Sequence, residues 1–241
     1  MQLIVIAGQA GVGKTTLANY IAKYAFNFGL VPKIMSFAGP LKEEAAAKGY
    51  DKETHPKEYR EYCQTVGLLK RQDDPDYWVE KFEDQLEALV AEETKDLRSG
   101  KSYWEKCVIV DDCRFMNELN MGRKWNARLI FMCYGDREMK DPNGEWRNHE
   151  SEQLATKVVD GDEDCRNMFT HILINNRTEK ELEEKTEFMA PIWCGVEHEI
   201  KEDKKPTLSD YIEELLDVLM MEDIDEEAEE EANEDQQYDS D

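Results

Sequence analysis

Eight residues, Gly8-Gln9-Ala10-Gly11-Val12-Gly13-Lys14-Thr15, fit the pattern G-x-x-x-x-G-K-[ST]. Glycines at those places let successive backbone N–H groups turn inward around phosphate oxygens. The positive end of a following helix adds to the same field. In that setting Lys14 is expected to bridge the β- and γ-phosphates of ATP, and the Thr15 hydroxyl to hold Mg²⁺. The expected ATP contacts are Gly8, Gln9, Ala10, Gly11, Val12, Gly13, Lys14, Thr15 and Thr16. A glycine-rich turn that binds nothing would leave Lys14 and Thr15 without a reason to stand where they do.

A second group is carboxylate. Cys107-Val108-Ile109-Val110-Asp111-Asp112 is an apolar run that ends in two aspartates. An apolar strand delivering an aspartate to the Mg²⁺ shell is the Walker-B arrangement. Side chains alternate across a strand, so only one of Asp111 and Asp112 faces the metal. Shortly after come Arg114 and Glu118, four apart at a helix start. They belong either to the site of the phosphate acceptor or to a surface ion pair worth little.

The third group is cationic. Arg71 lies in a basic-then-aromatic segment between two helical patterns, where a guanidinium can grip a phosphate with two parallel hydrogen bonds. Trp78, at the end of that segment, suits either core packing or base stacking. Further on, the polar stretch 135–153 carries Arg137, Arg147 and His149. In a kinase, a segment at this place is the lid that excludes water and brings arginines to the transferring group. His149 is assigned no chemistry.

These groups need a scaffold. Leu3-Ile4-Val5-Ile6-Ala7 reads as a buried strand, and Leu17, Ile21, Tyr24, Ala25 and Phe28 recur at helical spacing until Gly29. Residues 33–38 read as a second strand, and strand, helix, strand with short joints opens a doubly wound parallel sheet. Ligands gather at the carboxyl ends of such strands, which brings whatever follows Phe37, including Lys42, near the phosphate site. Helical patterns are predicted over 41–48, 56–70 and from Tyr77 to Val90. Strands follow at 107–112, 127–134 and 171–175, and helices at 179–189 and 208–221.

Composition sets the partners. The chain has 241 residues, 55 acidic against 30 basic, and a net charge of −25. That balance disfavours nucleic acid, because such affinity depends on cations that displace phosphate counterions. Twelve acidic residues and no Lys or Arg lie in 222–241, leaving −13 for residues 1–221. The stretch reads as a disordered, self-repelling tail, with docking of a basic partner as the alternative. No run approaches the roughly 18 apolar residues of a membrane span, and no leader pattern opens the sequence, so a soluble cytoplasmic protein is expected. Six scattered cysteines without C-x-x-C spacing suit reduced thiols, with neither disulfides nor zinc.

Taken together, Gly8–Thr15, Ser36-Phe37-Ala38-Gly39-Pro40-Leu41-Lys42, the segment Gln64 to Trp78, Val110 to Glu118 and His149-Glu150-Ser151-Glu152 resemble the bacteriophage deoxynucleoside monophosphate kinases, a branch of the P-loop nucleoside monophosphate kinases. The resemblance covers about residues 1–155. It implies an α/β fold with a five-stranded parallel sheet of order 2-3-1-4-5, helices on both faces, an acceptor-binding helical insertion at about 39–100 and a lid at about 135–153. The kinase domain would be 1–221, followed by the acidic tail 222–241. It also implies ATP as donor, a dNMP as acceptor and the host cell cytoplasm as location, with a homodimer left open.

By that pattern the metal is held by Thr15 and Asp112. Phe37, Lys42, Arg71, Trp78, Arg114 and Glu118 serve the dNMP, and Lys14, Arg137 and Arg147 serve catalysis. The sequence departs from the pattern in Gly39, where an aspartate is common, and in its long acidic C-terminus. Two other classes compete: a P-loop ATPase or nucleotide-sensing switch, and a small-molecule kinase with a non-nucleotide acceptor.

Overall fold

The computed structural model describes residues 1–51, 53–100, 104–134, 150–175 and 178–196. The chain divides into two units, Met1–Glu197 and His198–Asp241, and all that follows concerns the first. The expected helix over 208–221, the tail 222–241 and residues 135–149 of the expected lid, with Arg137, Arg147 and His149, lie outside the described residues.

Continuous burial along β1 (Gln2–Gly8) sets the architecture. Leu3, Val5 and Ala7 belong to one core, while Ile4 and Ile6 belong to another. A strand apolar on both faces must be covered on both faces, which is the condition of a central strand in a parallel sheet. β1 pairs in parallel with β3 (Lys106–Cys113) on one side and β4 (Arg128–Cys133) on the other. β2 (Val31–Met35) flanks β3, and β5 (His171–Ile174) flanks β4. The order is therefore β2-β3-β1-β4-β5, the five-stranded sheet expected.

One face is covered by α1 (Lys14–Asn27) and α8 (Glu179–Trp193), whose Leu17, Ile21, Leu182 and Trp193 meet Ile4, Ile6 and Ile109. The other is covered by α4 (Tyr77–Arg98), α5 (Met116–Lys124), α6 (Gln153–Val159) and α7 (Glu163–Arg166). α6 and α7 were not expected from the sequence. They are short, and their apolar residues Leu154, Ala155, Val158 and Cys165 give too few periods to stand out.

Between β2 and β3 lie α2 (Gly39–Ala47), α3 (Pro56–Asp73) and α4. α3 runs on to Asp73, past the expected end at 70, so Arg71 sits on a last helical turn and not in a junction. Gly67 is tolerated within α3 because α2 comes close: a Cβ at this position would stand 3.1 Å from the Leu41 side chain. All six cysteines are free.

Candidate active site

The turn from β1 into α1 is built on left-handed glycines. Gly8 has φ 142° and Gly13 φ 102°, conformations that L side chains rarely adopt. A Cβ on Gly8 would fall 2.1 Å from the Met132 carbonyl oxygen of β4, so the loop can pass the neighbouring strand only as glycine. Two contacts hold it from the far half of the sheet. The Gln9 carboxamide accepts from the Tyr134 N–H at 3.1 Å, and Asn175 Nδ2 donates to the Val12 carbonyl at 2.7 Å. Gly8–Thr15 is a P-loop.

Lys14 is 9% exposed, and its Nζ donates to the Gly8 and Gln9 carbonyls at 2.7 and 2.8 Å. Burial, and then the charge of Arg114, lower its pKa to about 8, against the opposing pull of Glu152 and Asp111. The lysine is thus cationic at neutral pH by a narrow margin.

The two aspartates at the end of β3 part company. Thr15 Oγ1 donates to Asp111 Oδ2 at 2.7 Å, which joins the P-loop hydroxyl to the strand carboxylate. Asp112 points the other way and accepts from the backbone N–H of Phe37 at 2.8 Å and of Ala38 at 3.2 Å. The expectation that Asp112 stands beside Thr15 is therefore corrected: the carboxylate there is Asp111, and both Asp112 oxygens are committed to the β2–α2 turn. Burial raises the Asp112 pKa, and those two N–H groups pull it back.

The acceptor residues separate as well. Arg71 stacks its guanidinium over the Phe115 ring at 4.6 Å. With Arg114, Asn117 and Lys157 it lines a groove of about 360 Å³. Lys42 lies instead in a larger depression of about 710 Å³ with Ser36, Gln85 and Asp111, donating to Ser36 Oγ at 2.9 Å. Phe37 and Trp78 are corrected as ligand contacts. Phe37 is 1% exposed and packs on Phe82, with ring centroids 4.6 Å apart. Trp78 is 2% exposed, and its indole N–H reaches the Gly67 carbonyl at 3.3 Å. Large apolar rings with no open face position their neighbours and leave nothing for a base to stack on.

Glu118 is corrected too. It is 3% exposed, and one of its oxygens accepts from the N–H groups of Arg114 at 2.7 Å and Phe115 at 3.1 Å. It thereby ties down donors at the start of α5, where a helix leaves N–H groups unpaired. Burial, and then the charge of Asp112, raise its pKa to about 8. The side chain that Arg114 does pair with is Glu152, at 3.3 Å from Nη1, with Ser151 Oγ at 3.5 Å from the same nitrogen. The other Glu152 oxygen accepts from the Ala10 N–H of the P-loop, also at 3.3 Å. The roles of Gln9, Asn175 and Glu152 as partners of the loop had no local signal, since each acts across more than a hundred residues of chain.

No protein-family model and no curated protein matches the chain. Among solved structures, it is similar to a dephospho-CoA kinase from Campylobacter jejuni at 14% identity and a TM-score of 0.42, over 81% of this chain and 99% of that one. It is also similar to a shikimate kinase from Bacteroides thetaiotaomicron at 14% identity and a TM-score of 0.37, with the same coverage of 81% and 99%. At such values the likeness concerns general architecture, and the chemistry has to be read from the site. No described helix is long and apolar enough to cross a membrane.

Proposed function

We propose that the protein is an ATP-dependent kinase whose acceptor is a phosphate group, and that the acceptor molecule is a deoxynucleoside monophosphate. The observation that carries the transfer is the span of one carboxylate: Glu152 touches the Ala10 amide with one oxygen and Arg114 with the other, at 3.3 Å each. The loop that would hold the donor phosphates and the arginine that would hold the acceptor phosphate are thus neighbours, as in-line transfer requires.

The choice of a phosphate acceptor rests on how the nearby carboxylates are used. A hydroxyl acceptor needs a base, and of the described carboxylates here Asp111 is engaged by Thr15, Asp112 by two backbone amides, Glu118 by two more and Glu152 by Ala10 and Arg114, while Glu150 lies exposed at the groove. An acceptor phosphate is already an oxyanion and asks only for cations and alignment. Arg114 and Arg71 on the groove supply those cations, with Lys157 and the Phe115 ring beside them. That this molecule is a dNMP is supported by the sequence resemblance over Ser36–Lys42, Gln64–Trp78 and Val110–Glu118.

Mg²⁺ fits the donor set. A hydroxyl and a carboxylate in mutual contact, Thr15 and Asp111, offer the hard oxygen ligands it prefers, the remainder coming from phosphates and water. Bound there it would neutralise charge on the transferring phosphate. Lys14 adds a cation at the loop. The lid arginines Arg137 and Arg147 remain part of the proposal as catalytic cations. The test is a coupled ADP-release assay with Mg-ATP and each of the four dNMPs in turn. Acceptor-dependent turnover with at least one dNMP is expected, and ADP release at one rate with or without any acceptor would overturn the reading in favour of an ATPase.

A further inference from the structure

Glu152 is an anion placed where phosphate oxygens are expected. Its Oε2 accepts from the Ala10 N–H of the P-loop at 3.3 Å, its Oε1 lies 3.3 Å from Arg114 Nη1, and the residue is only 6% exposed. The fold puts it there. It closes the 3₁₀ turn Glu150–Glu152, and the helix that follows seats Leu154, Ala155 and Val158 in the same core as Ala7 and Phe131. Thr156 Oγ1 donates to the Glu152 carbonyl at 3.0 Å and fastens the backbone. Nearby Lys14 feels the carboxylate as a favourable charge.

We infer that Glu152 is an internal competitor for the phosphate position of the P-loop: a nucleotide's phosphate chain must displace its carboxylate from the Ala10 amide, and the displacement frees Arg114 for the acceptor. This rests on the P-loop reading of the proposed function. The physics is exclusion. A polyphosphate and a carboxylate cannot share one backbone donor, and like charges so close in a partly desolvated site repel strongly. Arg114, held by the same carboxylate, changes partner when the carboxylate leaves. Donor binding would therefore prepare the acceptor site, and by linkage acceptor binding would favour donor binding equally.

The alternative is a fixed brace that orients Arg114 while phosphates bind beside it. The two differ in sign. Removing a competitor tightens phosphate binding, whereas removing a brace leaves it unchanged or weakens it. If the contact closes the site about nine-tenths of the time, the apparent Kd stands about tenfold above its intrinsic value.

Titration calorimetry with inorganic tripolyphosphate plus Mg²⁺, and separately with Mg-ATP, decides between them on the full chain, Glu152→Gln and Glu152→Ala. The glutamine has the shape of the native side chain and keeps the fold, which a melting curve checks, so it carries the test even if the alanine variant fails to fold. Glu152→Gln binding both ligands roughly tenfold more tightly is the expected result. Equal or weaker binding by a folded Glu152→Gln overturns the inference. Binding of neither ligand by the native chain or either variant would instead bring down the P-loop reading, and this inference with it.

Discussion

Asp111 and Asp112 are adjacent, chemically identical and assigned opposite duties, so exchanging each for alanine should produce opposite phenotypes. Asp112→Ala removes the acceptor of two backbone N–H groups, Phe37 at 2.8 Å and Ala38 at 3.2 Å, beside a phenylalanine that is 1% exposed. An unpaired buried donor costs about 1–3 kcal/mol. Part is regained because a carboxyl that burial had made costly to ionise is gone, so a net loss of about 2–4 kcal/mol is expected. For a chain of this size that is a fall in Tm of roughly 5–15 °C. Asp112→Asn keeps a carbonyl for the same amides and should lose less than about 1 kcal/mol.

Asp111→Ala removes a single hydrogen bond from Thr15, with a Tm within about 3 °C of the native chain. Its effect should fall on Mg²⁺, as roughly a 10- to 100-fold loss in metal affinity or kcat. Thermal melts, with Mg²⁺ titrations of the ADP-release assay, read both quantities. An Asp112→Ala protein that melts normally but loses its Mg²⁺ response would refute the division of labour.

Other outcomes follow from the same geometry. Arg114→Ala should lower kcat/KM for the acceptor by about 30- to 1000-fold, corresponding to roughly 2–4 kcal/mol of charge-assisted contact, with Arg114→Lys recovering only part; steady-state kinetics at saturating ATP would show an unchanged kcat/KM if the arginine were idle. With the pKa of Lys14 lowered to about 8, Mg-ATP affinity should be flat from pH 6 to about 7.5 and weaken above pH 8 towards tenfold per unit, because binding must then take up a proton. The same shift makes the folded chain bind fewer protons than the unfolded one above pH 8, so the lysine's contribution to stability rises there while affinity falls. Glu118 has the reverse sign: a carboxyl raised to about 8 stabilises fully at low pH and loses that contribution as pH climbs from about 4.5 to 8, and Glu118→Gln should flatten this slope in denaturant melts.

What the sequence made legible was the part governed by local pattern. The P-loop announces itself because its glycines, lysine and threonine sit within eight residues, and a doubly wound parallel sheet follows from strand–helix–strand units with right-handed crossovers, whereas the strand order was implied by the family resemblance alone. Which aspartate faces Thr15 depends on the strand's exact twist at its last residues, where β1 and β3 slip register between Val5 and Ala7, and period-two alternation cannot decide it. Phe37 and Trp78 are ligand contacts only by the family pattern, and for Trp78 the residues alone also allow core packing. Burial settled them otherwise, through Phe82 and through the Gly67 carbonyl. Glu152 stood in the sequence only as part of the stretch His149–Glu152 that carries the resemblance, with no role of its own, since its partners Ala10 and Arg114 are far from it along the chain.

The fate of the γ-phosphoryl group separates transfer from hydrolysis. With ATP labelled at the γ-phosphate, Mg²⁺ and a dNMP that supports turnover, the account predicts that label leaves ATP into the β-position of the dNDP and that little accumulates as inorganic phosphate. Label appearing only as inorganic phosphate, at a rate indifferent to the dNMP, would contradict it.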